Sequence, residues 1–492
     1  MTIFRFCLAA FTSIVLCLAT ASADETAAAL QKHKTFTGWR FGDSASRYID
    51  LTESTGEPGA SSPATVGHIR RIGAAFRADY HDTKSGYNSS HGFTGNIFWY
   101  SDENGFTVPV LGEPAKLALA EDLFFADGWA ELPWQARGIE RRWGKTYHVF
   151  HVEQPSALSV NLYVDDETGS YAGVTIDPKG DNEETLRVLD YQSAGTKQFI
   201  KRYQFDGSKS VHTLSAITFS AFPDNDLHPP AQTASWDFKN SDPFPIKLTK
   251  DRIVIKARVN GIEGSFLLDS GAASIFLSGA FARRAGLKPN GHSQIYSLYG
   301  TEKSDVGLVQ TLEMGGNVLR DVNVYFGSGE VEDEAPDGLM GFGLLAGALV
   351  TVDMEKSTMQ VRDPANVDPK EIPGVRIGVD LSSGQPVVPM GVQDKSATVN
   401  ALLDTGSPRV ILISEQLPSK YGLHMTGAGV LGGCGFLDNM TIGPIIYDRP
   451  NACTVDWGVH EALIGYDFLK GLSKLHFDYA HAAMILTPRK PL

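Results

Sequence analysis

The residues best suited to chemistry are two aspartates set in one repeated frame. Leu267-Leu268-Asp269-Ser270-Gly271-Ala272 returns 135 residues later (404 − 269) as Leu402-Leu403-Asp404-Thr405-Gly406-Ser407. A single Asp-Ser/Thr-Gly is ordinarily a turn, in which the Asp side chain caps its own backbone and Gly accepts a positive φ. Two copies inside matching flanks carry a different implication, because packing the copies together would bring two carboxylates to one place. Like charges about 3 Å apart cannot both ionise cheaply, so such a pair holds one proton between its members. The ionised member can take a proton from water while the protonated member donates one, which is general acid–base chemistry in a single site.

The flanks do match. Upstream, Ile253 to Gly261 reads as a strand ending in a turn, and Val387 to Val392 is its partner. Downstream, Ser274 to Ser278 leads to Ala282-Arg283-Arg284-Ala285-Gly286-Leu287, and Arg409 to Ile413 leads to Pro418-Ser419-Lys420-Tyr421-Gly422-Leu423. Each copy reads as strand, short helix and Gly stop. Gly338 to Leu345 then aligns with Ala462 to Leu469, and each copy closes with a hairpin, Val350–Asp353 with Met359–Arg362 and Leu475–Asp478 with Met484–Leu486. The Asp-to-Gly spacings are 72 (341 − 269) and 61 (465 − 404), so the copies differ mainly in one loop. Asp363 to Gly374, with three prolines, reads as the linker between them.

This pattern resembles the retropepsin-like (gag-polyprotein-type) aspartic proteases, here with two lobes fused in one chain as in pepsin-like enzymes. It spans about residues 245–488, and Leu463-Ile464-Gly465-Tyr466-Asp467-Phe468-Leu469 lies especially close to the family's second motif. The resemblance implies a hydrolase that cleaves a polypeptide substrate with a water activated by Asp269 and Asp404, without a cofactor. It implies that Ser270 and Thr405 hydrogen-bond across the lobe interface. Gly271 and Gly406 would allow close backbone approach beside the carboxylates, and Met340-Gly341 and Ile464-Gly465 would thread beneath the active loops. Ser407 adds a hydroxyl where the first lobe has Ala272. A flap is expected over the cleft, with Tyr299 and Gly300 at its turn in the first lobe and the Gly-rich stretch Thr426 to Leu437 in the second. Gly427 to Gly432 is formally G-x-G-x-x-G, but no βαβ unit surrounds it, so a dinucleotide site is set aside. Fusion of the lobes removes the need for a homodimer and implies a monomer with an intramolecular pseudo-dimer.

The elements that must position these residues follow from the rest of the chain. At 492 residues it holds about three globular units. A net charge of −14 without a Lys/Arg block argues against a nucleic-acid partner. Residues 1–23 read as a signal peptide, with Arg5, the apolar run Phe6 to Ala19 and Ala21-Ser22-Ala23 before the cleavage point. That run is too short for a membrane span, so the expectation is an exported protein, periplasmic or secreted, with no stable membrane insertion. Cys434 and Cys453 remain after cleavage; they are candidates for a disulfide closing 19 residues (453 − 434), with two buried thiols as the alternative. Their spacing fits no zinc site, and no metal is expected.

Residues 24–235 read as a mainly antiparallel, curved sheet with one or two helices. Thr52 to Thr65 is expected as an exposed loop. Tyr147–Val152, Val160–Val164, Tyr171–Ile176 and Phe199–Phe205 are expected as strands, and Ala115–Phe125 as a helix entered through Pro114. Six tryptophans, at 39, 99, 129, 134, 143 and 236, are expected as core and rim aromatics, with a ligand cleft as the alternative. The strand order over about residues 90–215 loosely resembles the half-barrel of bacterial lipoprotein-carrier proteins. The alternative function it implies is a carrier of an apolar or lipid-like ligand, with the protease lobes as scaffold. The fold class expected overall is mainly β: a signal peptide at 1–23, a β-rich domain at 24–235, and two tandem lobes at 236–365 and 366–492.

Overall fold

Period-two alternation commits most of this chain to strands, whose side chains point to opposite faces in turn. In Ile253–Val259 every second residue, from Ile253 to Val259, is buried. The computed structural model is accordingly mainly β, with short helices between sheets. It describes residues 24–38, 48–58, 62–83, 86–180, 183–297, 300–327, 336–392, 397–408, 411–414, 418, 433–437, 439–455 and 461–489. The chain divides into two compact units, one of residues 1–80, 92–96 and 113–228, the other of residues 81–91, 97–112 and 229–492. Residues 81–91 and 97–112, which the composition groups with the N-terminal half, therefore belong to the second unit.

In the first unit the antiparallel strands run in the order Ala75–Asp82, Thr65–Ile72, Tyr48–Gly56, Val211–Thr218, Lys197–Phe205, Glu184–Ala194, Tyr171–Ile176, Val160–Val164, Lys145–Val152 and Gln135–Arg142. The helix Glu113–Phe125 buries Leu119, Leu123 and Phe124. Trp129 and Trp134 are core residues whose indole N–H groups donate to Ala120 O (3.0 Å) and Trp129 O (2.9 Å). Trp39 lies outside the described residues.

Two features depart from the sequence reading. Thr52 to Gly56 is strand, not loop. On one side it pairs with residues 65–68, Thr52 facing His68 and Thr55 facing Thr65, and on the other with residues 211–215. Thr52 and Thr55 suit a strand but Glu53, Ser54 and Gly56 do not, and the pairing on both edges decides the conformation. A helix over 24–37 also occupies a segment with no assigned element. It is fastened by His33, fully buried, which bonds Asp127 Oδ1 (2.7 Å) and Gly169 O (2.8 Å) and stacks on Tyr171 at 3.8 Å.

In the second unit the two repeats build equivalent sheets. The first contains the order Asn317–Gly327, Ile275–Leu277, Gly338–Met340, Ile262–Leu268, Ile253–Val259, Gly300–Met314, Gly291–Ser297. The second contains Asn451–Val455, Ile411–Ser414, Ala462–Ile464, Ala397–Leu403, Val387–Val392, Asn439–Ile442, Ile445–Asp448. The registers correspond: Leu267 faces Leu339 in parallel, as Leu402 faces Leu463. A further six-stranded sheet joins the repeats by pairing Leu349–Asp353 with Leu472–Asp478, Val350 opposite Phe477 and Val352 opposite Leu475. These four side chains are fully buried, each contributing about 1.5–3 kcal/mol of hydrophobic stabilisation.

Candidate active site

Each aspartate stands at the end of a central strand, just past a parallel pairing. Leu268 is the last residue paired in the first repeat, with Met340, and Leu403 the last in the second, with Ile464. The next amide continues each ladder: Asp269 N–H donates to Met340 O (3.0 Å) and Asp404 N–H to Ile464 O (2.8 Å). The chain then turns, and the returning strand is clamped from the other side, by Phe342 N–H to Ala272 O (2.9 Å) and Tyr466 N–H to Ser407 O (2.8 Å). Gly341 is required here, since a Cβ would overlap the carbonyl oxygens of Ala272 and Ser274. The segments carrying Met340-Gly341 and Ile464-Gly465 thus underlie the two Asp loops.

The hydroxyl residues after the aspartates lock the loops to each other. Ser270 Oγ donates to Leu403 O (2.6 Å) and accepts from Thr405 N–H (3.0 Å). Thr405 Oγ1 donates to Leu268 O (2.7 Å) and accepts from Ser270 N–H (2.9 Å). All four backbone groups are satisfied in a place where water is excluded, Thr405 being fully buried and Ser270 nearly so. The lock sets the Asp269 and Asp404 carboxyls close enough for each to perturb the other. It also sets each glycine against the opposite carboxylate: a Cβ on Gly271 would lie 2.5 Å from Asp404 Cγ, and one on Gly406 would overlap Asp269.

The pair is electrostatically unequal. Burial, then the charge of Asp404, push the Asp269 carboxyl well above the usual carboxylate range. Burial raises Asp404 too, but the hydrogen bond from Asp269 and the amides of Gly406, Ser407 and Gly271 favour its ionised form. The amides of Gly271 and Ala272 favour the ionised form of Asp269. Both carboxyls are thus raised, and their titrations are linked. Ser407 acts on Asp404 through its backbone N–H.

The hairpin Gly291–Ser297 with Gly300–Met314 places Gly300 opposite Ser297 at its end; Tyr299 lies outside the described residues. Most of Thr426 to Leu437, including residues 426–432, also lies outside them, as do residues 1–23 and the helix expected after Pro418. Cys434 and Cys453 form a disulfide between directly opposed residues of neighbouring strands, packed against Leu402 and Leu463.

Residues that carried no motif also surround the site. Gln385 Nε2 donates to Gly271 O. Tyr479 is wholly buried, and burial, then the charges of both aspartates, raise its phenol well above the ordinary range. Ser274 Oγ donates to Glu103 Oε1 (3.0 Å). Ser274 immediately precedes a strand of the first repeat, but its second-repeat equivalent is Arg409, and Gln385, Tyr479 and Glu103 belong to no repeated motif, so spacing offered no signal for these contacts.

No relative among curated proteins matches the chain. Three solved structures are similar to parts of it. An aspartic proteinase from Irpex lacteus is 11% identical, with 52% of this chain and 97% of that one covered and a TM-score of 0.37. A LolA superfamily protein from Nitrosomonas europaea is 14% identical, with 41% and 97% covered and a TM-score of 0.32. A DUF1329 family protein from Desulfovibrio piger is 11% identical, with 41% and 97% covered and a TM-score of 0.30. Residues 255–344, the stretch that carries Asp269 and its underlying Met340-Gly341 segment, match the family model described as aspartyl protease, so this part of the chain is aspartyl-protease-like.

Proposed function

We propose that the chain is an exported aspartic endopeptidase in which Asp269 and Asp404 activate a water for attack on a peptide carbonyl. The observation that carries this reading is the reciprocal lock of Ser270 and Thr405, which holds the two Asp loops together and their carboxyls side by side. Asp404, ionised, takes a proton from the water as it attacks. Asp269, protonated, donates to the carbonyl oxygen as negative charge develops there; as the C–N bond of the resulting diol breaks, the proton gained by Asp404 passes to the leaving nitrogen and a diol hydroxyl returns a proton to Asp269. Because each repeat supplies one carboxylate, residues 236–365 and 366–492 act as two lobes of one monomeric enzyme. The hairpin ending at Ser297 and Gly300 is the flap over a polypeptide substrate.

Residues 1–23 are, in this reading, the export signal. The Cys434–Cys453 disulfide supports an oxidising compartment. Among the described residues no helix is long and apolar enough to cross a membrane. The carrier reading draws less support, since Trp129 and Trp134 are spent on the first unit's own core. Asp404→Asn and Asp269→Asn should each abolish cleavage of a denatured protein at mildly acidic pH, and undiminished cleavage by either variant would refute the dyad.

A further inference from the structure

The second unit incorporates a hairpin from far upstream. Phe98–Ser101 and Thr107–Val110 pair antiparallel, and the tip between them is built by one side chain: Asp102 Oδ1 accepts from the amides of Asn104 (3.0 Å) and Phe106 (2.9 Å). Asn104 then ties the tip to Asn323, accepting from its N–H through Oδ1 (2.7 Å). Phe106 is buried against Gly347, and Tyr100 meets the Phe342 ring edge-on at 5.8 Å. With its neighbours held on both sides, Glu103 meets Ser274, whose hydroxyl donates to Oε1 at 3.0 Å.

Ser274 closes the loop that begins at Asp269, and its own carbonyl packs on Gly341 beneath that loop. Glu103 Oε2 is sealed from solvent. Burial, then the adjacent Asp102, push the Glu103 carboxyl up to about 8, so near neutrality it is a protonated acid rather than a charge. Asp102 itself is raised to about 6 by burial, and the phenols of Tyr87, Tyr100 and Tyr325 surround the pair, all raised by burial first. Enclosing an acid in this way is costly, and a fold that needed only packing would be served by an apolar residue. The second repeat has no such partner in sequence: the position equivalent to Ser274 by the 135-residue offset is Arg409.

We propose that Glu103 is a positioning residue for Asp269, bracing the far end of its loop through Ser274. The proposal rests on the protease reading for its effect on rate, but the brace itself is a structural claim that can be read separately. Asp269 is one of the two carboxyls of the pair, and an error of about 1 Å in its placement is enough to slow an acid–base step.

The test compares Glu103→Ala, Glu103→Gln and Ser274→Ala in the full chain. Glutamine reproduces the neutral acid: its carbonyl oxygen still accepts from Ser274. Glu103→Ala and Ser274→Ala should each lower kcat about tenfold with KM within about twofold, whereas Glu103→Gln should stay within about twofold of the parent. Native-state hydrogen exchange should show faster opening of residues 269–275 in both alanine variants, no change in Glu103→Gln, and no change at residues 404–408 in any of them. Unchanged exchange and unchanged kcat in Ser274→Ala would overturn the brace, as would a Glu103→Gln loss equal to that of Glu103→Ala or an effect confined to KM. If the parent protein cleaves nothing, the protease reading fails, and the exchange pattern alone still decides whether Glu103 braces the loop. If Glu103→Ala does not fold, Ser274→Ala and Glu103→Gln give the same decision.

Discussion

The hydroxyl of Thr405 is the most exacting place to test the paired-loop geometry. Thr405→Val keeps the shape of the side chain and removes only the hydroxyl. Two buried backbone groups then lose their partner, Ser270 N–H at 2.9 Å and Leu268 O at 2.7 Å. Orphaning a buried polar group costs roughly 1–3 kcal/mol, so two give about 2–6, and partial relaxation of the loops brings the expected loss to about 3 kcal/mol. Because the same hydroxyl fixes the separation of the carboxyls, kcat should fall on the order of a hundredfold. Thr405→Ser retains the hydroxyl and should behave nearly as the parent. The loss is measured by urea unfolding, with native-state hydrogen exchange assigning the transition to the second unit, since two units need not unfold together. In a double-mutant cycle, Ser270→Ala and Thr405→Val should be non-additive by about 1 kcal/mol, because each hydroxyl bonds the backbone of the other's loop. A Thr405→Val loss below about 0.5 kcal/mol with unchanged kcat would refute the lock as the device that sets the dyad.

Two further outcomes follow from the same geometry. In the proposed reading activity requires one carboxyl of the pair ionised and the other protonated, and burial raises both from the free value. The rate should therefore fall at low pH, where neither carboxyl is ionised, and at high pH, where neither is protonated; a kcat/KM profile that does not fall on either side would contradict this. The matching sign for stability is that these two groups favour the fold below 3.8 and disfavour it progressively as pH rises through their folded values. Reduction of the Cys434–Cys453 bond reopens a loop of 19 residues and should lower stability by about 3 kcal/mol, read as a drop in the urea midpoint of Cys434→Ser/Cys453→Ser; an unchanged midpoint would show that strand pairing alone closes the loop.

By itself the sequence determined the elements that repeat. The repeat marked Ile253 to Gly261 as a strand ending in a turn, and strand runs over Ile253–Val259; the doubled Asp-Ser/Thr-Gly frame singled out Asp269 and Asp404, and the resemblance it carries pointed to the hydroxyls that join their loops. Such features are legible because side-chain period and residue type act locally and because duplication makes a weak motif recur in register. Other features depended on partners distant in the chain. Residues 52–56 read as loop from their polar character and are strand because Thr65–Ile72 and Val211–Thr218 flank them. That both carboxyls are raised could not be read from Asp269 and Asp404 alone, since it turns on burial and on what each carboxyl faces. Glu103 had no motif at all. Its contact with Ser274 spans 171 residues, and only the folding of the hairpin over residues 98–110 into the second unit brings a neutral acid to the end of the Asp269 loop. Local pattern specifies which groups are available, whereas their protonation and alignment are set by the burial and hydrogen bonds that non-local packing creates.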